Sequence, residues 1–180
     1  MKILNRLILA TLMLSSACTR YLDEDNKSNN KITTKDFELN ILENKNIFIY
    51  TSNLTTRRDD EVILTTKFKL DLPKNIINFK ISNMYKFVFN YPNKQYFIIY
   101  TDNEKKSLVT NDTLYIPDEK EIEALIQQNG VHIIKKIKRD KSIGRKYLIF
   151  KKGNTTILLY NIKNDNIDTF VNCAKSLNFF

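Results

Sequence analysis

The chain has 180 residues, of which 42% are hydrophobic and 11% aromatic, and this composition excludes a largely disordered protein. The formal net charge of +9 favours anionic partners. With three glycines and one histidine, the sequence contains no phosphate-binding glycine loop, no dinucleotide-binding fingerprint and no histidine-rich zinc site.

The first eighteen residues have the three-part organisation of an export signal. Two basic residues, an apolar run over residues 7–14 and three small residues precede Cys18 in that order. The apolar run is too short to span a bilayer as a lasting anchor. The sequence Leu-Ser-Ser-Ala-Cys at 14–18 resembles the lipobox of bacterial lipoproteins, although Ser15 occupies a position that is usually apolar.

The resemblance implies cleavage between Ala17 and Cys18, a diacylglycerol on the cysteine thiol and a further acyl chain on the new amine. Residues 1–17 are then a signal peptide, and its two basic residues reduce the net charge of the mature chain from +9 to +7. Each buried methylene contributes about 0.8 kcal/mol, so several acyl chains together form a stable anchor. An ordinary signal peptide with an incidental cysteine is the alternative.

The residues after the cysteine bear on the location of the mature protein. In enteric bacteria, an aspartate directly after the cysteine is the signal that retains a lipoprotein in the inner membrane, and this chain has Thr19 at that position. We therefore expect the mature protein to be located in the cell envelope, and we favour the outer membrane. The acidic residues at 23–25 resemble the surface-export signal of Bacteroidetes lipoproteins, and a solvated acidic linker explains them equally well. Residues 18–36 are predicted to be a lipidated cysteine and a flexible tether, in which the 18 polar residues at 19–36 would have a mean span of about 24 Å.

From residue 37 onwards, apolar residues recur with period two, which predicts half-buried strands. Residues 37–41 and 47–50 predict a hairpin, and the alternation returns over 61–72 and 79–91. Residues 96–100 are apolar on both faces, which indicates a central strand. The polar face predicted for the 79–91 segment consists of Lys80, Ser82, Lys86 and Asn90.

The first predicted helix has clear start signals. Pro117 precedes Asp118, which is placed to act as the N-cap, and Glu121 completes a capping box. The apolar face of this helix consists of Ile122, Leu125 and Ile126.

Strands are predicted again at 131–138, 146–151 and 155–162, and a last helix begins near Asp165. The apolar stripe of that helix consists of Ile167, Phe170, Val171, Ala174 and Leu177.

We therefore predict a single α+β domain over residues 37–180. It would contain a twisted antiparallel sheet of about six to eight strands with two α-helices packed on one face.

The sequence contains no motif of a known catalytic centre. His132 is the sole histidine, and the Gly-x-Ser-x-Gly nucleophile elbow is missing. The carboxylates at 59–61 and 118–123 are explained by a mixed-charge loop and by the first turn of a helix. We therefore predict no enzyme activity, no cofactor and no metal site. Cys173 lies beside the apolar stripe of the last helix and is interpreted as a buried thiol.

A concentrated basic stretch makes an anion-binding patch a candidate on a predicted hairpin. Its residues are Lys135, Lys136, Lys138, Arg139, Arg145 and Lys146. A solvated strand edge that resists aggregation is the competing interpretation, and we favour it. A second, smaller motif at 112–114 resembles the O-glycosylation site of exported Bacteroidetes proteins, with Thr113 as the candidate acceptor.

These features predict a membrane-anchored envelope lipoprotein that acts as a non-catalytic binding or interaction module. The protein would bind the membrane through its N-terminal lipid. Its other partner would be an envelope protein, an anionic lipid or an anionic glycan, and export argues against a nucleic acid partner. The alternatives are a periplasmic immunity lipoprotein that neutralises a toxin and a carboxylate-dependent hydrolase. The lipobox resemblance covers the first eighteen residues and assigns the exported domain to no family.

Overall fold

The computed structural model describes residues 22, 30–34, 36–51, 57–58, 61–62, 67–83, 86–102, 112–127 and 144–180. Within these residues the chain forms mostly β-structure. The strands are β1 (Asn30–Thr33), β2 (Phe37–Ile41), β3 (Asn46–Thr51), β4 (Arg57–Arg58), β5 (Glu61–Val62), β6 (Lys67–Leu72), β7 (Asn78–Asn83), β8 (Lys86–Tyr91), β9 (Gln95–Thr101), β10 (Thr113–Tyr115), β11 (Arg145–Lys152), β12 (Thr155–Lys163) and β13 (Asn178–Phe179). The helices are α1 (Glu119–Gln127) and α2 (Ile167–Lys175), and 3-10 turns cover Pro92–Lys94 and Asn164–Asn166.

The strands form two main antiparallel sheets and a separate β4–β5 ladder. The five-stranded sheet has the order β1-β2-β3-β6-β13, and the six-stranded sheet has the order β10-β11-β12-β9-β8-β7. The chain passes from the first sheet to the second through residues 73–77, between β6 and β7. Each pairing between neighbours in the two sheets is antiparallel. This is expected for consecutive strands joined by short turns, such as β2 and β3 or β8 and β9.

Aromatic side chains fill the space between the two sheets. The Phe48 ring, on β3, lies 4.8 Å from the Phe87 ring and 5.4 Å from the Phe89 ring, both on β8. The Phe87 ring also meets the Phe37 ring at 5.7 Å and the Tyr50 ring at 5.3 Å. Burial of one such side chain stabilises a fold by about 1.5–3 kcal/mol, so this cluster is the main core of the domain.

A second, smaller core lies on the outer face of the six-stranded sheet. There the apolar face of α1 packs against strand residues that point away from the main core. Ile122 is buried, and Leu125 and Ile126 are partly buried, as the helical periodicity predicts. The strand residues of this second core are Val88, Ile98, Tyr100, Ile149, Leu158 and Tyr160.

The predicted α+β fold, with two helices on one face of a single sheet, is wrong. The protein is mostly β, its two sheets face each other, and the two helices among the described residues do not share one face. α1 lies on the outer face of the six-stranded sheet, whereas α2 contributes to the core between the sheets. A nine-residue helix is about 13 Å long, while six strands span about 24 Å, so a second sheet provides cover that two such helices cannot.

α2 uses its predicted apolar stripe to close one side of the main core. The Phe170 ring lies 5.0 Å from the Tyr91 ring and 6.3 Å from the Phe97 ring. Ala174 and Leu177 are buried in the same cluster. The period of this helix was therefore predicted correctly, although the surface that it covers was not.

Several local predictions are confirmed. β2 and β3 form the expected hairpin, and β9 is central, between β12 and β8. At the start of α1, the Glu121 backbone N–H donates to Asp118 Oδ1 at 2.7 Å, which confirms the N-cap. The second half of the predicted capping box is not formed, because the Glu121 carboxylate instead accepts hydrogen bonds from Tyr115 Oη at 2.5 Å and from Lys151 Nζ at 3.2 Å.

Described parts of the 18–36 segment contact the domain, which the polar composition of the segment did not predict. The Leu22 backbone N–H donates to the Ile76 carbonyl oxygen at 2.6 Å, and the Leu22 side chain packs against the main core. β1 pairs with β2 along Asn30–Thr33, and Ile32 also packs against the core. Two apolar side chains, together with backbone hydrogen bonds, thus attach parts of this segment to the domain.

Candidate functional site

Most of the predicted site residues lie outside the described part of the chain. This applies to Ala17 and Cys18, and to four residues of the basic patch, Lys135, Lys136, Lys138 and Arg139. The predicted strand at 131–138 falls in the same segment. The remaining patch residues, Arg145 and Lys146, lie at the start of β11, where the Lys146 side chain is exposed.

The start of β11 belongs to one end of the β-sandwich, where five described segments come together. These segments are residues 42–45, 73–77, 92–94, 144–146 and 163–166, and the strand registers place all of them at the same end. Their basic residues are Lys45, Lys74, Lys94, Arg145, Lys146 and Lys163, and their acidic residues are Glu43 and Asp165. We call this surface the basic end.

Hydrogen bonds hold the part of the basic end formed by the six-stranded sheet. Asn161 has a φ of 59°, which forms a bulge in β12 and keeps both Leu159 and Ile162 in the main core. Its Nδ2 donates to the Lys94 carbonyl oxygen at 2.8 Å, and its own carbonyl oxygen accepts from Arg145 Nη1 at 3.1 Å. The Arg145 guanidinium is therefore positioned by backbone geometry.

Gln95 adds a second link at the same end. Its Oε1 accepts from the Lys163 backbone N–H at 2.9 Å and from Asn166 Nδ2 at 3.0 Å. Its Nε2 donates to the Pro92 carbonyl oxygen at 2.9 Å. One buried amide therefore joins the 92–94 turn to the turn before α2.

The five-stranded sheet contributes two lysines to the basic end. Lys45 Nζ lies 3.3 Å from an Asp71 carboxylate oxygen, in an exposed ion pair. Lys74 Nζ donates to the Leu42 carbonyl oxygen at 2.9 Å, so this lysine joins two loops. Exposed ion pairs contribute little to stability, so the pair with Asp71 holds the Lys45 ammonium only weakly.

Lys86 is a buried cation that sequence analysis placed on a polar face. Its side chain is 0% exposed, and Nζ lies 3.4 Å from the Leu125 carbonyl oxygen and 4.6 Å from the centre of the Tyr100 ring. Burial lowers the pKa of Lys86 to about 8 and raises the pKa of Tyr100. The prediction that Lys86 lies on the face of β8 opposite the main core was correct. That face is buried because α1 packs on it, and the alternation within a strand does not show whether a helix covers its polar face.

A polar cluster joins α1 to the edge strands. Glu121 accepts from both Tyr115 and Lys151, and Lys151 Nζ lies 5.1 Å from the centre of the Tyr115 ring. Burial and the hydrogen bond to Glu121 raise the pKa of Tyr115, while the hydrogen bond to Tyr115 raises the pKa of Lys151. These interactions keep the lysine charged and the phenol neutral, and they fix the helix on the sheet.

Thr113 has an exposed side chain on β10, which is an edge strand. Neighbouring Asp112 forms an ion pair with Lys152 at 3.4 Å. The candidate acceptor hydroxyl is therefore on the surface, at the end of the sandwich opposite the basic end.

The described residues contain neither a cluster of metal ligands nor a helix that could span a membrane. No three His, Cys, Asp or Glu side chains gather there as a metal site requires. No helix in that part of the chain is both long enough and apolar enough to cross a bilayer.

Comparison of the chain with protein-family models, with curated proteins and with solved structures found no match.

Proposed function

We propose that the protein is an envelope lipoprotein, anchored by acyl chains on Cys18, whose β-sandwich acts as a non-catalytic binding module. The observation that supports this most directly is the ordered N-terminal signal, in which a basic start, an apolar run and small residues precede the cysteine. The contacts described above are made by residues 22–180. Cleavage before Cys18 would leave all of them in place.

The site supports a binding role better than a catalytic one. The basic end presents six basic side chains, among which the Arg145 guanidinium is held by the Asn161 carbonyl oxygen, and such a surface suits recognition of an anionic partner. The buried Lys86 is enclosed by Tyr100 and α1, and the Tyr115, Glu121 and Lys151 cluster attaches a helix. Lys86 and the Tyr115, Glu121 and Lys151 cluster therefore have structural roles.

Location in the cell envelope determines which anionic partners the basic end could meet. Thr19 after the cysteine favours the outer membrane, where phosphorylated lipids and acidic glycans are the anions available to the basic end. An acidic face of another envelope protein would present the same chemistry.

Metabolic labelling with radioactive palmitate tests the anchor. We expect label on the wild-type protein and its recovery in the membrane fraction. Cys18→Ala should abolish the label and release the protein from membranes. Cys173→Ala is the matched control, because it removes the other cysteine and should leave both label and membrane attachment unchanged. Unlabelled wild type, or a Cys18→Ala form that is equally membrane-bound, would refute the proposal.

A further inference from the structure

The N-terminal segment is attached to the basic end close to the proposed anchor. The Leu22 N–H bonds to the carbonyl oxygen of Ile76, and Ile76 is itself fully buried in the main core. The next residue, Ile77, donates its backbone N–H to the Asn90 carbonyl oxygen at 2.8 Å. Leu22 is therefore held by a loop that is itself fixed to the six-stranded sheet.

Leu22 is the fourth residue after Cys18, which limits how far the domain can stand from the lipid. Even fully extended, four residues reach about 14 Å. The 18–36 segment would have a mean span of about 24 Å if all of it were free. The Leu22 contact therefore replaces a long tether with a short one.

The geometry points to an oriented domain: the basic end faces the bilayer and contacts lipid headgroups, and the opposite end faces away. This inference rests on the proposed lipid anchor at Cys18. The occupant of the surface is the membrane in which the protein's own acyl chains are inserted.

The charge of the surface agrees with this orientation but does not determine it. The five segments of the basic end contain six basic and two acidic residues, which favours contact with anionic headgroups. The acidic residues at 23–25 directly follow Leu22 and reduce this attraction. The short connection is thus the main determinant of orientation, and the cations contribute to contact with the surface.

Two single-cysteine variants measure the orientation. Glu43→Cys places a fluorophore in an exposed turn of the basic end, and Thr113→Cys places it on the opposite end. β12, with nine residues, indicates that the two ends are about 30 Å apart. Both variants carry Cys173→Ala, so the introduced thiol is the one that reacts once Cys18 is acylated.

The lipidated proteins are reconstituted into vesicles of phosphatidylethanolamine and phosphatidylglycerol that contain a nitroxide-headgroup lipid as quencher. We expect the label at position 43 to lose most of its emission and the label at position 113 to keep most of its emission. Equal quenching at both positions, or stronger quenching at 113, would overturn the orientation.

A linker insertion separates the orientation from the anchor itself. A Gly-Ser segment of about ten residues between Cys18 and Leu22 adds a mean span of about 17 Å. It should restore emission at position 43 while the protein stays bound to the vesicles. Unchanged quenching at position 43 would contradict the role of the short connection. Absence of lipid on Cys18 would instead refute the proposed function.

Discussion

The ring of Phe48 in the five-stranded sheet meets the ring of Phe87 in the six-stranded sheet edge-on, with centroids 4.8 Å apart. This contact joins the two sheets at the middle of the main core, and both side chains are fully buried. Aromatic pairs in this geometry contribute about 0.5–1.5 kcal/mol beyond the burial of their area.

Phe48→Ala should therefore destabilise the domain severely. The substitution removes contacts with four rings, those of Phe37, Phe68, Phe87 and Phe89, and leaves a cavity between the sheets. We expect a loss of about 3–5 kcal/mol in the free energy of unfolding, measured by urea denaturation. Phe180→Ala, at an exposed aromatic residue, is the control. A loss below about 1 kcal/mol at position 48 would contradict the face-to-face packing.

Lys86→Met should stabilise the protein at pH 7. Burial lowers the folded-state pKa of Lys86 from 10.5 to about 8, so at pH 7 the folded protein holds a charge that its surroundings disfavour. Replacing this lysine with an apolar side chain of similar length should raise the free energy of unfolding by about 1–3 kcal/mol.

The pH dependence distinguishes the charge of Lys86 from its packing. Between pH 8 and 10.5 the unfolded state keeps a proton on Lys86 that the folded state has lost, so this group makes wild-type stability rise with pH in that window. The advantage of Lys86→Met should therefore shrink from pH 7 to pH 9.5 in chemical denaturation. Lys69→Met, at an exposed lysine on β6, should show no such trend. An advantage that is constant with pH would rule out the buried charge as its cause.

Ser176→Ala should weaken the junction between α2 and β6. Ser176 Oγ accepts from the Asp71 backbone N–H at 2.7 Å and donates to the Cys173 carbonyl oxygen at 2.7 Å. Loss of both bonds leaves a partly buried amide without this acceptor, at a cost of about 1–2 kcal/mol. Thermal or urea unfolding measures the change, and Thr169→Ala, at an exposed position in α2, is the control. Equal effects at the two positions would contradict a role for this junction.

The Cys173 thiol should react slowly in the folded protein. Burial, together with the nearby Asp71 carboxylate, raises its pKa to about 12, so little thiolate is present at pH 8. Alkylation by iodoacetamide, followed by mass spectrometry, should be slow in buffer and fast in urea. Similar rates in the two conditions would show that the thiol is not shielded as described.

The sequence predicted the local elements well because the alternation of side chains is a local property. The segment at 79–91 shows the limit of prediction from this alternation. It contains two strands, β7 and β8, in which Phe79 pairs with Phe89 and Ile81 pairs with Phe87. All four partners have odd numbers, so the alternation continues from β7 into β8, and the pattern does not show where one strand ends and the next begins.

The division into two sheets was not predictable from periodicity. The apolar face of a strand can pack equally well against a helix or against another sheet. The alternation of side chains shows that one face is buried, but it does not show which element packs on that face. The same limit explains Lys86, whose burial depends on α1, and Leu22, whose docking depends on Ile76. At the basic end, the sequence identified Arg145 and Lys146 but not the turns that come together around them.

Intact mass measurement of the protein purified from native membranes tests the central claim most directly. The claim predicts a polypeptide that begins at Cys18 and is heavier than residues 18–180 by the mass of a diacylglycerol and an acyl chain. A protein that retains residues 1–17, or one with an unmodified Cys18, would contradict it.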